Sequence, residues 1–488
     1  MKILLANAPW SKPGFYGVRA GSRWPHFEAE NLEYMPFPFF MAYATALLER
    51  HGYDVSLIDA VAEALDEQTF YARVEQFAPE LIVLEVSTIS IDVDLRHVSE
   101  LHNRLPGAKI GLCGLHSYMY EPEFLAEHNA VDMVLIGEYE TTLLELVQRL
   151  ESGAQLDGCR GLVHRRNGDV QVEKRRPLIE DLDSLPWPAR HFLPMHDYHD
   201  EPGYIPRPSV QMWSSRGCPF GCIFCAWPQI MYGSRRYRKR SVVDTVDEME
   251  WLVRRAGFKS VYFDDDTFNI DRKRTLMIAD EIKRRRIGVP WAIMARADLM
   301  DEQLLTALRE SGLHSLKYGV ESASPDLIRT CDKRLDLDKV KRMVRLSHEL
   351  GISTHLTFMF GLPGETIDTA RSTIDLALEL APESLQFTIA TPFPGSRYHR
   401  MLSAEGKIVQ SDFSRYDGFR SAVVRTDELS AEQLEQICCE ANELWNDFWY
   451  ARAHPDLRTT GEKVRDLIKQ PSRIPGAAKR LVKNSRTS

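Results

Sequence analysis

Residues 218–225 read CPFGCIFC, which sets Cys218, Cys222 and Cys225 apart by three and then two intervening residues. A tight loop can turn three such thiolates toward one centre, and their chemistry is that of a metal. Zinc in a structural site takes four protein ligands, and no fourth Cys or His stands at a finger-like distance. Three thiolates suit a four-iron cluster better, because the fourth iron then stays open to a ligand that is not protein. Gly217 and Gly221 let the backbone approach closely. The other five cysteines, Cys113, Cys159, Cys331, Cys438 and Cys439, are expected to be buried small residues. "MKILLANAPW" has neither the apolar core nor the cleavage site of a signal peptide, so a disulfide framework is not expected and a cytoplasmic location is.

The elements that must position these thiols follow from the pattern of apolar runs. With 488 residues, the chain is long enough for several domains, and 44% hydrophobic and 27% charged residues describe a globular protein. A formal charge of -9 gives no reason to expect nucleic acid. The most apolar stretch, "YMPFPFFMAYATALL", is too short for a bilayer helix. Over residues 1–150, short apolar strands ("KILLANAP", "DVSLIDA", "LIVLEVS", "KIGLCG", "DMVLIGE") alternate with helices, which predicts an α/β, doubly wound, Rossmann-like domain. Residues 151–207 read as a proline-rich connector. From 208 to 405 six further strands, "SVQMWSSRG", "SVYFDDDTF", "PWAIMARAD", "SLKYGVES", "STHLTFMFGLP" and "SLQFTIATPFP", predict a partial (β/α)6 barrel, with the cysteine loop directly after its first strand. Residues 406–488 predict a helical extension with a basic tail, ten Lys and Arg against three acids from 450 onward.

The cysteine motif, with Phe224 before its last Cys, is similar to that of the radical S-adenosylmethionine (SAM) enzymes, and "YFDDDTF", "YGVESAS", "FGLPGET" and "ATPFPGS" resemble the later barrel strands of that superfamily. The resemblance implies that Cys218, Cys222 and Cys225 ligate a [4Fe-4S] cluster, that its open iron binds SAM, and that an electron from the cluster yields a 5'-deoxyadenosyl radical. It implies Phe224 near the adenine, one of Asp264, Asp265 and Asp266 on the SAM amino group, and Glu321 on the ribose or methionine part. The usual Gly-Gly-Glu is absent, so which acid serves stays open; the alternatives are a helix cap for the aspartates and a strand-end ion pair for Glu321.

The first domain lacks G-x-G-x-x-G after its first strand. Ser87 and Thr88, "GLCGLH" and "VDMVLIGEYETTLLEL" resemble instead the cobalamin-binding domain that precedes the barrel in one large radical SAM subfamily, which implies Ser87, Thr88, Gly114, Gly137 and Glu138 as cobalamin contacts. The Asp-x-His-x-x-Gly motif is absent, leaving His26 and His116 as the histidines considered for cobalt. The long loop 18–38 offers Arg19, Arg23, Trp24 and His26 to cofactor or substrate. "CAWPQIMYGSRRYRKRS" resembles the group with the hopanoid cyclitol-ether synthases and the anaerobic magnesium-protoporphyrin ester cyclases; Arg235, Arg236, Arg238, Lys239 and Arg240 offer a site for phosphate or carboxylate, or simply a solvated loop.

The resemblance implies a cobalamin-dependent methyltransferase acting on an unactivated carbon of a small-molecule or lipid substrate, with a ring-forming or rearranging synthase as the alternative and a non-enzymatic cobalamin sensor disfavoured by the intact cysteines. It also implies a reduced flavodoxin- or ferredoxin-type electron donor. The basic tail suggests peripheral membrane contact.

Overall fold

The computed structural model describes residues 1–10 and 34–453. The first sheet holds β1 (Lys2–Asn7), β2 (Asp54–Asp59), β3 (Leu81–Val86), β4 (Lys109–Gly114) and β5 (Met133–Leu135), followed by β6 (Leu162–Arg166) and β7 (Asp169–Val172). Its order is β2-β1-β3-β4-β5-β6-β7, parallel as far as β5 and antiparallel beyond. Buried aliphatics on both faces pack under helices: α1 (Phe39–Arg50) and α4 (Glu140–Glu151) on one side, α2 (Glu67–Phe77) and α3 (Ile91–Arg104) on the other. The doubly wound expectation therefore holds, with strand order reversing at β1, between β2 and β3. In such sheets ligands bind in the crevice beyond the carboxyl ends of the strands on either side of that switch.

The hairpin β6–β7 lies inside the stretch read from sequence as a connector. Its turn is Asn167-Gly168, both residues at positive φ, the geometry that a two-residue hairpin loop requires.

The second sheet is parallel, and its strands run in chain order: β8 (Ser209–Met212), β9 (Ser260–Phe263), β10 (Trp291–Ala295), β11 (Leu313–Glu321), β12 (Ser353–Phe360) and β13 (Ser384–Ile389). No pairing joins β13 back to β8 among the described residues, so this is a curled half-barrel. The helices between the strands open on side-chain caps, Ser241, Asp271, Asp301, Asp336 and Thr366, each accepting a bond from a first-turn N–H. The floor is plugged by residues 202–204: Ser315 Oγ donates to the Pro202 carbonyl at 2.6 Å, and the Gly203 N–H donates to Ser384 Oγ at 3.1 Å. A Cβ on Gly203 would lie 2.8 Å from the Cβ atoms of both Ser315 and Ser353, so only glycine fits. With that end closed, the carboxyl ends of the strands are where a site can form.

The two sheets meet through α1, buried continuously from Phe39 to Leu48. A helix apolar on every face needs a partner on every side. Phe39 stacks on Trp213 at 4.2 Å between centroids and Phe40 on Trp227 at 5.5 Å, so α1 joins its own sheet to the barrel segments flanking the cysteines. Among the described residues no helix is long and apolar enough to cross a membrane. The helical extension is present as Ala431–Ala453. The basic tail and Arg19, Arg23, Trp24 and His26 lie outside the described residues.

Candidate active site at the barrel mouth

β8 ends at Met212, and the chain then forms one side of a two-residue antiparallel ladder, Ser215–Arg216 against Arg238–Lys239. Gly217 leaves this ladder at φ +91°, where a Cβ would sit 2.0 Å from the Arg236 carbonyl. That turn delivers Cys218, Cys222 and Cys225 onto the loop, all three half-buried. The loop is tied to distant barrel segments: Ile223 N–H donates to the Cys331 carbonyl at 3.0 Å, and Tyr398 N–H to the Ile223 carbonyl at 3.1 Å. Of the remaining cysteines, four are buried as expected, while Cys439 is exposed.

The donor set can be tested against a metal group. Around one tetrahedral zinc, thiolate sulfurs stand about 3.8 Å apart, given Zn–S bonds of about 2.3 Å. The only three-residue set of metal-type ligand atoms within 4.8 Å of one another among the described residues is Asp157, His164 and Glu173, at the outer hairpin. The three cysteine sulfurs are thus spread more widely than one ion requires, among the described residues no His, Cys, Asp or Glu completes such a set with them, and the three thiols fit a cluster with one open iron. Burial pushes the Cys218 and Cys222 thiols up, and the nearby Lys333 ammonium works against that shift at Cys222.

The aspartates after β9 divide their work. Asp265 is fully buried and accepts from Ser214 N–H at 2.7 Å, Ser214 Oγ at 2.6 Å and Ser215 Oγ at 2.5 Å, fastening the end of β8. Asp266 accepts from the Gly217 N–H at 2.8 Å, at the turn into the cysteine loop. Thr267 Oγ1 lies 3.6 Å from Cys218 Sγ. Asp264 is buried at the strand end. None of them caps the following helix; Asp271 does. Glu321, at φ +70° after an irregularity in β11, pairs with Lys333 Nζ at 2.5 Å. Burial disfavours the Lys333 ammonium, but Glu321 and Cys222 outweigh it and its pKa is raised. Arg296, directly after β10, lies 3.7 Å over the Phe220 ring and donates to Asp298 at 2.7 Å. Phe224 packs on the barrel core. The sequence reading missed Lys333 and Arg296; the position of Arg296 at a strand's carboxyl end was the available signal.

At the switch point of the first sheet, Asn7 ends β1 with both amide atoms buried and no partner among the described residues, and the Trp10 indole N–H is likewise unpaired. Ser87 Oγ lies 3.0 Å from Ser90 Oγ, which donates to Asp94 at 2.7 Å. Thr88 Oγ1 lies 3.3 Å from His116 Nδ1. Burial depresses the His116 pKa to about 4, so the imidazole is neutral near pH 7. Gly114 sits at φ +117°, where a Cβ would meet the Val86 carbonyl at 2.2 Å. Small strand ends beside an orphaned amide fit the amide-fringed rim of a corrin.

Gly137 and Glu138 follow β5 at the same carboxyl edge, where the Tyr120 hydroxyl donates to the Gly114 carbonyl at 2.6 Å and accepts from the Gly137 N–H at 3.3 Å. A Cβ on Gly137 would lie 2.4 Å from the Met231 carbonyl, so this glycine permits domain contact. Glu138 accepts from Arg216 at 2.7 Å, from Arg238 at 2.7 Å and from the Ile179 N–H at 3.0 Å. Its carboxylate is engaged in a buried bridge between the domains. Arg240 is likewise buried against Glu248, at 2.5 Å, and Asp244, whereas Arg235 and Arg236 remain half exposed or more.

The model of the Radical SAM superfamily matches residues 214–377, and that of the B12 binding domain matches residues 29–147. An uncharacterized methyltransferase of Pyrococcus horikoshii is 30% identical over 405 residues, covering 83% of this chain and 86% of that one. The anaerobic magnesium-protoporphyrin IX monomethyl ester cyclase of Rubrivivax gelatinosus is 28% identical over 81% of this chain and 71% of its own length. The fold matches the radical S-adenosylmethionine methyltransferase TsrM of Kitasatospora setae with a TM-score of 0.64 and 20% identity, over 83% of this chain and 75% of that one. With the half-barrel, the three-cysteine loop and the switch-point crevice in place, the chain belongs to the radical SAM superfamily, in the group that carries a B12-binding domain ahead of the barrel.

Proposed function

We propose that this protein is a cobalamin-dependent radical SAM methyltransferase that acts at an unactivated carbon of a small-molecule substrate. The observation that carries the reading is the loop of three half-buried cysteines, joined by no fourth metal-type ligand among the described residues and packed between the half-barrel mouth and the B12-type domain. In this reading Cys218, Cys222 and Cys225 hold a [4Fe-4S] cluster. When bound there, such a cluster would supply the electron that breaks the sulfonium C–S bond of SAM, releasing methionine and a 5'-deoxyadenosyl radical, and cobalamin would supply methyl-transfer chemistry.

The chain's own side chains orient these groups. Asp264 and Asp266 offer acids to the SAM amino group, while Lys333 and Arg296 offer cations to its carboxylate. Glu321 holds Lys333 in place, and Phe224 flanks the adenine side. Asn7, Ser87, Thr88 and Gly114 seat the corrin against the first sheet. Asp265 and Glu138 act through the backbone and the domain contact. The electron comes from a flavodoxin- or ferredoxin-type donor. Ring formation is the second reading, favoured by the similarity to the porphyrin ester cyclase.

The test is the fate of SAM after anaerobic reconstitution with iron, sulfide, cobalamin and a reductant, with Cys222→Ala as control. Formation of both 5'-deoxyadenosine and S-adenosylhomocysteine, each lost in the control, is the expected result. Deoxyadenosine alone favours ring formation. Neither product from a chain with a full cluster, in the presence of substrate candidates, refutes the radical reading.

A further inference from the structure

The segment that follows the cysteines does more than leave the loop. Residues Trp227–Met231 form one π-helical turn, closed by Tyr232 N–H donating to the Trp227 carbonyl at 3.0 Å. A π turn carries one more residue than an α turn, and such turns gather at functional sites. Here the wide turn presents different groups to its two sides. On one side Gln229 Nε2 lies within bonding distance of three carbonyls of the cysteine loop: Cys222 at 3.3 Å, Ile223 at 3.0 Å and Cys225 at 2.7 Å. Gln229 Oε1 accepts from the Arg397 N–H at 2.7 Å, and Arg397 Nη1 donates to the Gly221 carbonyl at 3.1 Å. One amide thus gathers the loop and fastens it to the segment after β13.

On the other side the same turn abuts the first domain. The Ile230 carbonyl accepts from Arg175 Nη2. The Met231 carbonyl lies against Gly137 so closely that a Cβ there would stand 2.4 Å away. Gly395, against Ile230 and Ser117, closes the third edge: a Cβ on it would lie 3.3 Å from Ile230 Cγ1 and 2.5 Å from Ser117 Oγ. Gly233 makes room for the Arg175 guanidinium, since its Cβ would fall 1.7 Å from Nη1. Trp227 stacks on Phe40 of α1. The five-residue turn therefore meets the cysteine loop through Gln229 and the opposite side through Trp227, Ile230 and Met231.

We infer that the π-helical turn Trp227–Met231 is the spacer that fixes the cluster loop relative to the cobalamin edge, and that Gln229 is its positioning residue. The inference rests on the function proposed above and adds a residue that makes none of the contacts to cluster, SAM or cobalamin assigned there. A loop whose three carbonyls lose their common donor keeps its cysteines but not a single geometry.

The test measures spacing rather than turnover. The full chain is reconstituted, loaded with cobalamin in its cobalt(II) form and reduced so that the cluster is paramagnetic, and relaxation-induced dipolar EPR then reads the cluster-to-cobalt distance distribution. Wild type is expected to give one narrow distribution. Gln229→Met, similar in size without the amide, is expected to load iron and give a distribution at least about twice as broad, with a changed line shape of the reduced cluster. Arg175→Met, which frees only the far side of the turn, is expected to broaden the distribution while leaving the cluster line shape as in wild type. If Gln229→Met fails to load iron, Gln229→Asn is expected to restore loading with a broadened distribution. A wild-type distribution in Arg175→Met and in whichever Gln229 variant loads iron overturns the inference alone. A wild-type chain that loads no cluster overturns the proposed function and this inference with it.

Discussion

Glu138 separates two roles that a strand-end acid can have. As a cofactor contact its loss would weaken cobalamin binding and leave the apo-protein's stability unchanged. The structure makes the opposite prediction. Its side chain is 2% exposed, and it is bridged by the equally buried guanidinium groups of Arg216 and Arg238. Arg216 has a second partner in Glu140 at 2.6 Å and three aromatic rings around it, Phe40, Tyr43 and Trp213. Arg238 has no other carboxylate within ion-pair distance among the described residues, and its Nε and Nη2 are already buried without hydrogen-bond partners. Glu138→Gln therefore leaves a buried cation uncompensated, a change that costs about 3–5 kcal/mol. For a domain of this size that is a fall in apo Tm on the order of 10 °C. Burial alone would raise the Glu138 pKa; the two guanidinium groups outweigh it and hold the carboxyl below its ordinary 4.5. The stabilisation is thus complete above that value and is lost as pH falls through the lower folded-state pKa, so wild type and Glu138→Gln converge in acid. Calorimetry with and without cobalamin is the assay, with Glu138→Leu/Arg238→Met as the variant expected to recover most of the loss. A Glu138→Gln protein that melts within about 3 °C of wild type but binds cobalamin at least tenfold more weakly refutes the reasoning.

Three other substitutions probe separate parts of the account. Burial pushes the Asp94 carboxyl up to about 8, with Ser90 opposing; stability from the neutral form is complete below the ordinary 3.8 and is lost as pH rises toward 8, so Asp94→Asn is expected to flatten the pH dependence of urea unfolding between pH 5 and 9. Gly114→Ala forces a Cβ against the Val86 carbonyl in a left-handed backbone, and a loss of about 2 kcal/mol or more, with weakened cobalamin binding by absorbance titration, is the expected outcome. Lys333→Met leaves the three cysteines in place, so iron loading is expected to persist while SAM affinity, read by calorimetry, falls about tenfold, or ~1.4 kcal/mol.

The strands and the cysteine loop were legible because their signals are local. Runs such as "LIVLEV" and "SVYF" are buried on every residue, as parallel strands under helices are, and the CPFGCIFC spacing carries its chemistry within eight residues. The β6–β7 hairpin was also written locally, in Asn167-Gly168, but its strands alternate polar residues on a half-exposed edge and were read as connector. The buried bridges of Glu138, Arg238 and Arg240 were not legible, whereas Arg235 and Arg236 are exposed as in the solvated-loop alternative. The partners of Glu138 stand 78 and 100 residues away, and a charge becomes an interior bridge only when the fold brings its counterion to it. Asp265 and Asp266, adjacent in sequence, part company because one is directed to the serines after β8 and the other to Gly217. Gln229 shows the same limit: its three carbonyl partners are near in sequence, but only the π turn aims the amide at them.

The measurement closest to the central claim is low-temperature EPR of the reduced, reconstituted chain before and after saturating SAM. The account predicts about four irons per chain, a reduced-cluster signal whose shape changes when SAM reaches the open iron, and loss of that signal in Cys222→Ala. A fully loaded cluster whose spectrum ignores SAM, or iron content that survives removal of Cys218, Cys222 and Cys225 together, would contradict it.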